Sequence, residues 1–145
     1  MRILLTTIFC SLLSFPAVAE IDFDELKGQV VYVDFWASWC GPCKASFPWM
    51  NKMHRVYHDK GLTIIAINLD QEPELARNFI AEMDPEFRIE FDPSGKLAEE
   101  FKVDTMPTSF LIDRSGKARF KHKGFHDEKG REYQHEIQVL LKESL

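Results

Sequence analysis

The chain has 145 residues, and its 23 acidic side chains against 18 Lys and Arg give a formal net charge of −5 at pH 7. This length suits one domain that can bury a sizeable core. The acidic balance argues against nucleic acid or an anionic membrane surface as the main partner.

The first nineteen residues have the pattern of a secretory signal peptide. Arg2 supplies a positive charge, residues 3–15 form an apolar segment, and residues 17–19 resemble a cleavage site. The apolar segment is shorter than the roughly 20 residues that a membrane-spanning helix needs. We therefore expect a periplasmic protein with a single domain over residues 20–145. If the segment is not cleaved, it would anchor that domain to the membrane, facing the periplasm.

Beyond residue 19 the chain alternates between strand and helix patterns. Apolar and β-branched runs predict strands, and apolar residues three or four positions apart, such as Phe47, Met50 and Tyr57, predict helices. Gly61 suits a helix end, and residues 113–116 suit a hairpin turn. Strands are predicted at 30–35, 63–69, 108–112 and 118–122, a short strand or an extended link at 87–91, and helices at 43–60, 73–83, 96–101 and 128–142. This order predicts an α/β domain with a mixed sheet.

Two cysteines, Cys40 and Cys43, lie at the junction of the first strand and the first helix. Thiols at this spacing can close a small disulfide and reopen it, which is typical of thiol–disulfide exchange. A purely structural disulfide is the alternative, but so short a loop constrains the unfolded chain little. A helix beginning near Pro42 or Cys43 would lower the pKa of Cys40 from about 8.5 towards roughly 7. Cys40 is therefore the expected nucleophile, and Cys43 the resolving thiol.

An acidic residue, Asp34, lies in the first strand on the same face as Tyr32. If it is buried, its pKa rises, and it can accept the proton of Cys43 during resolution. The alternative is a solvated acid without a catalytic role. Trp36 and Trp39 could both be core residues, as large aromatic residues usually are, but Trp39, next to Cys40, is expected to form part of an apolar rim that docks substrate.

The sequence from Val33 to Lys44, together with Phe47-Pro48, Asn68-Leu69-Asp70 and Thr105-Met106-Pro107-Thr108, resembles the exported thioredoxin-like proteins of the TlpA/ResA type. The resemblance spans roughly residues 23–141. It implies a thioredoxin fold, in which a central mixed sheet is flanked by helices, with a helical insertion after the second core strand. It also implies a membrane electron donor of the DsbD type.

The resemblance further implies a cis bond between Met106 and Pro107 that faces the disulfide. A proline before an apolar strand fits such a turn, whose exposed backbone can pair with an extended substrate segment. Met106, Gly41 and Pro42 are expected to contact substrate beside Trp39. In the ResA-like branch a glutamate commonly stands three residues after the second cysteine. This chain has Ser46 there, which leaves a role in cytochrome maturation open.

These features predict a thiol–disulfide oxidoreductase that reduces exported protein disulfides as a monomer, without a cofactor. The Gly-Pro dipeptide between the cysteines suggests a potential nearer roughly −270 mV than the −120 mV of a strong oxidant. An oxidase or isomerase of exported proteins is one alternative, and a thioredoxin-like binding module without turnover is another. A thiol peroxidase is disfavoured, because it needs a lone peroxidatic cysteine and Cys40 is followed closely by Cys43.

The histidines do not predict a metal site. Cys40, Cys43, His54 and His58 approach zinc-finger spacing, but on one helix His54 would lie about 16 Å along the axis from Cys43. The remaining histidines, His122, His126 and His135, show no ligand spacing and are expected at the surface.

Overall fold

The structure, a computed structural model, describes residues 21–144. The predicted signal peptide therefore lies outside the described residues. The strands are β1 (Val30–Trp36), β2 (Leu62–Asn68), β3 (Arg88–Phe91), β4 (Thr108–Ile112) and β5 (Ala118–Lys123), and the longer helices are α1 (Gly41–Tyr57), α2 (Pro73–Met83), α3 (Lys96–Glu100) and α4 (Gly130–Lys142). Each predicted strand and helix is confirmed, with bounds that shift by at most three residues.

The five strands form one mixed sheet in the order β3-β2-β1-β4-β5. Strands β1, β2 and β3 run parallel to one another, while β4 is antiparallel to β1 and to β5. The two central parallel strands are buried on both faces, which explains why their sequences are almost continuous runs of Val, Ile and aromatic residues. The predicted mixed sheet is confirmed.

Helices cover both faces of the sheet. On one face, side chains of α1, α2 and α4 pack against alternate residues of β1 and β2 in the larger hydrophobic cluster, which also contains Cys40 and Cys43. On the other face, Val31, Val33 and Phe35 pack against Ala98 of α3 and against the segment that begins at Ile21. The disulfide and the three long helices therefore share one side of the sheet.

The predicted insertion after the second core strand is helical, because it contains α2. The chain then returns as β3, which pairs with β2 and becomes the edge of the sheet. Among residues 21–144, none of the helices has the length and hydropathy that a membrane crossing requires.

Candidate redox-active site

Cys40 and Cys43 are joined by a disulfide, with sulfurs 2.10 Å apart and Cα atoms 5.3 Å apart. Helix α1 begins at Gly41, slightly earlier than predicted, and Cys40 is its N-cap. The backbone N–H of Cys43 donates to Cys40 Sγ at 3.3 Å. Cys40 retains 5 % exposure and Cys43 has none. A Cys40 thiolate would thus lie at the positive end of helix α1, and its disulfide partner, Cys43, is fully buried.

Asp34 is 2 % exposed, so the solvated alternative is wrong. It lies between Tyr32 and Trp36 on the sheet face that packs against α1, the helix that carries Cys43. Its Oδ2 atom is buried without a hydrogen-bond partner. Burial raises the pKa of Asp34 well above the ordinary value of 3.8. The ionised form of this carboxyl group is therefore a stronger base than a solvated carboxylate.

The two tryptophans differ sharply in exposure. Trp36 is fully buried and packs against Phe47 and Phe79, with ring centroids 5.0 and 4.6 Å away. Trp39 is 70 % exposed, although it stands directly before Cys40. Gly41 and Pro42 are exposed as well. The accessible side of the disulfide is therefore flanked by an aromatic ring and a proline.

The peptide bond between Met106 and Pro107 is cis, as the resemblance implied. Pro107 is buried, and its carbonyl accepts a hydrogen bond from Gly124 N at 2.8 Å. Met106 is partly exposed and packs against the cluster that contains both cysteines. The cis turn thus borders the same cluster as the disulfide.

The sequence assigned no role to a further acidic residue at the site, Asp70. Asp70 lies just beyond β2, where its carboxylate accepts hydrogen bonds from Ser38 N and Ser38 Oγ, each at 2.9 Å, and from Asn68 Nδ2 at 2.7 Å. These bonds fix the loop that leads into Cys40. Because Trp36 and Asn68 are partners in the parallel register, the strand ends meet at one edge of the sheet. The sequence could have indicated this contact, because Ser38 and Asp70 each follow shortly after a predicted parallel strand.

Asp70→Asn should slow alkylation of reduced Cys40 at pH 7 by about two- to fivefold. The reason is that a loosened loop weakens the helix-terminus stabilisation of the thiolate, which is worth about 0.3–1 kcal/mol. Asp92→Asn is the matched control, since Asp92 is also 5 % exposed and accepts from Ala98 N, but lies at the end of β3. Equal slowing in both variants would show a general loss of stability rather than a local effect on Cys40.

Contacts among polar side chains of β1, β4, β5 and α4 correct the expectation for His122. His122 is not a surface residue: its side chain is 14 % exposed, and its Nε2 lies 2.7 Å from Glu136 Oε2. Its Nδ1 lies 3.3 Å from Ser109 Oγ, which accepts a hydrogen bond from Tyr32 at 2.8 Å. Helix α4 covers the inner side of β5, which buries the His122 side chain. His126 and His135 are exposed as expected.

Comparisons with known proteins agree with this geometry. The Redoxin family model matches residues 17–137. The thiol-disulfide oxidoreductase ResA of Bacillus thuringiensis is 36 % identical over 105 residues, which are 72 % of this chain and 61 % of that protein. This chain therefore matches only about three-fifths of the length of such relatives.

Two solved structures have the same fold. A crystal structure from Chlorobium tepidum, described as a candidate thiol:disulfide interchange protein DsbE, aligns with a TM-score of 0.81 and 45 % identity over 83 % of this chain and 86 % of that one. The crystal structure of StoA from Bacillus subtilis aligns with a TM-score of 0.64 and 29 % identity over 74 % of this chain and 84 % of that one. With its thioredoxin-like fold and its Cys40–Cys43 disulfide, the chain belongs to the Redoxin family.

Proposed function

We propose that the protein is a thiol–disulfide oxidoreductase that reduces disulfides of exported proteins. The observation that carries this proposal is a disulfide at a helix N-terminus whose first cysteine keeps 5 % exposure and whose second has none. A buried acid, Asp34, lies on the sheet face against which this helix packs. The printed names of relatives, thiol-disulfide oxidoreductase and thiol:disulfide interchange protein, support the same reaction.

The reaction begins from the dithiol form. The Cys40 thiolate attacks one sulfur of a substrate disulfide and expels the other as a thiolate, which leaves a mixed disulfide. Cys43 then gives up its proton to Asp34 and attacks Cys40 Sγ, which expels the second substrate sulfur as a thiolate and re-forms the Cys40–Cys43 disulfide. Two electrons pass from the protein to the substrate, so a dithiol donor must reduce Cys40–Cys43 before the next cycle.

The surface around Cys40 is the proposed docking site for substrate. Trp39, Gly41 and Pro42 are exposed neighbours of Cys40 in the sequence, and Met106 of the cis turn packs against the cluster that contains both cysteines. An extended segment of substrate would pair with the backbone at this turn and place its disulfide over Cys40. Such a site would recognise the backbone of the substrate more than its side chains, so it could accept many different proteins.

The proposed setting is the periplasm, supported by the signal-peptide pattern of residues 1–19. There a reductase needs a supply of electrons, and a membrane electron donor of the DsbD type is the proposed source. The proposed working unit is a monomeric domain over residues 20–145. Ser46, whose hydroxyl donates to the Cys43 carbonyl at 2.9 Å, supplies no carboxyl group. Asp34 is therefore the proposed acid of this site.

The redox potential tests the direction of electron flow. We expect a value near roughly −270 mV, because the hydrogen bond that the structure gives Cys40 Sγ comes from the backbone of Cys43. A helix terminus contributes at most about 2 kcal/mol, whereas a strong oxidant needs about 7 kcal/mol more thiolate stabilisation than thioredoxin. Equilibration of the mature protein with glutathione buffers measures the potential. A value above about −180 mV would replace the reductase with an oxidase or isomerase.

A further inference from the structure

Four aromatic rings pack together in the hydrophobic cluster that contains the disulfide. Trp36 of β1 and Phe47 of α1 are fully buried, whereas Phe79 of α2 and Phe87 just before β3 are 6 % and 7 % exposed. Two of the four rings therefore come from the insertion that follows β2, and these two are the ones that keep some contact with solvent.

Phe79 contacts two of the other rings directly. Its ring centroid lies 4.6 Å from that of Trp36 and 4.9 Å from that of Phe47. Trp36 and Phe47 also contact each other, with centroids 5.0 Å apart, so the three rings are in mutual contact. Aromatic pairs at these separations and angles attract each other beyond their burial. Because only Phe79 of these three keeps exposure, it is the ring that covers the other two.

The two covered rings are neighbours of the groups that react. Phe47 follows Cys43 by four residues on α1, so the two side chains lie one turn apart on the same face of the helix. Trp36 follows Asp34 by two residues on β1, so both side chains point to the same face of the sheet. Cys43 has no exposure and Asp34 has 2 %. A shift of either ring would change how well these groups are covered.

Polar contacts with α1 fix the position of α2. Lys44 Nζ lies 2.5 Å from Glu82 Oε1, close to the end of α2. Asn51 is 7 % exposed and binds the loop after α2 twice: its Nδ2 donates to the Asp84 carbonyl at 3.1 Å, and its Oδ1 accepts from Glu86 N at 2.8 Å. The insertion is therefore fastened to the helix that carries the proposed resolving thiol.

We propose that Phe79 is a positioning residue of the redox site: its ring holds Trp36 and Phe47 in place and so keeps water from the resolving thiol and the buried acid. This inference rests on the proposed function, in which Cys43 resolves the mixed disulfide and Asp34 accepts its proton. A thiol covered in this way reacts little with solutes and attacks the mixed disulfide from within the protein. The insertion helix thus sets the order in which the two thiols react.

Alkylation of Cys43 in a Cys40→Ser background tests the shielding. Phe79→Ala should raise the rate of alkylation by iodoacetamide about tenfold, because the space left by the ring opens to solvent. Phe79→Leu keeps more of the apolar volume, so it should fold even if the alanine variant does not, and it should give a smaller rise. Leu140→Ala is the matched control, since Leu140 is fully buried in the same cluster but lies on α4. An unchanged rate in both Phe79 variants, or an equal rise in the control, would overturn the inference.

Carboxyl ¹³C NMR of Asp34 in the oxidised protein gives a second readout, which a general loss of stability would not move. Burial raises the pKa of Asp34, so the entry of water in Phe79→Ala should lower its titration midpoint by about one pH unit. Tyr32, the neighbouring titratable group on this sheet face, stays protonated because burial raises its pKa well above its ordinary value. Leu140→Ala should leave the midpoint unchanged. A wild-type midpoint in both Phe79 variants would refute the shielding of the acid.

The shielding and the proposed function can fail separately, because neither readout depends on turnover. If the Phe79 variants change both readouts while Asp34→Asn leaves disulfide exchange at the wild-type rate, the proposed base is refuted and the shielding stands. If exchange depends on Asp34 while the Phe79 variants change neither readout, the shielding is refuted and the proposed function stands.

Discussion

Cys40→Ser is expected to abolish reduction of insulin disulfides, whereas Cys43→Ser is expected to accumulate mixed disulfides with protein substrates. The reason is that only Cys40 combines some exposure with the start of a helix, while Cys43 is fully buried and acts after the mixed disulfide has formed. Without Cys43 the first attack still occurs, but nothing within the protein releases the product.

Non-reducing gels and mass spectrometry of the trapped species measure this difference. The Cys40→Ser, Cys43→Ser double variant is the control for substrate that is retained without a disulfide to Cys40, and it should trap no substrate. Limited alkylation of the reduced wild type gives an independent check, since Cys40 should react first. Faster modification of Cys43 would reverse the two roles.

Asp34→Asn is expected to slow resolution of the mixed disulfide on the order of 10²-fold, the lower end of what a positioned base contributes. The amide keeps the volume of the buried side chain but cannot accept the proton of Cys43. Stopped-flow exchange at several pH values measures the effect, and the rate should come to depend on added base. Asp92→Asn, which alters a buried acid elsewhere, is the control. Rates equal to the wild type between about pH 6 and 8 would make Asp34 purely structural.

The same substitution should change how stability depends on pH. Burial raises the pKa of Asp34, so the folded protein keeps this proton at pH values where the unfolded chain has lost it. Wild-type stability therefore falls as pH rises from about the unfolded value through the raised folded value. Asp34→Asn lacks this loss, so its free energy of unfolding should equal or exceed that of the wild type at about pH 8 and converge with it near pH 4. Urea unfolding at both pH values measures it.

The sequence predicted those parts of the site that local pattern determines. The spacing of Cys40 and Cys43, the apolar run around Asp34 and the proline before β4 each follow from neighbouring residues. The helix start, the buried acid and the cis turn were accordingly confirmed. Their roles in exchange remain predictions.

The sequence did not predict contacts that depend on how distant elements meet. Asp70 binds the loop at Ser38 because two parallel strands end at the same edge. His122 was expected at the surface, because the spacing of the histidines indicates no ligand set. Only the placement of α4 over the inner side of β5 brings His122 to Glu136.

The topology also separates two events during folding. The disulfide joins residues three apart in sequence, so it can close before any sheet has formed. The hydrogen bond between Tyr32 and Ser109 joins residues 77 apart in the sequence, whereas Ser109 and His122 are 13 apart. Contacts that close long loops cost more chain entropy and form late in folding. Until the sheet and α1 pack together, Asp34 is a solvated carboxylate. A chain that is still being synthesised can therefore form its disulfide as a local event, whereas resolution of a mixed disulfide with Asp34 as the proposed base requires the completed fold.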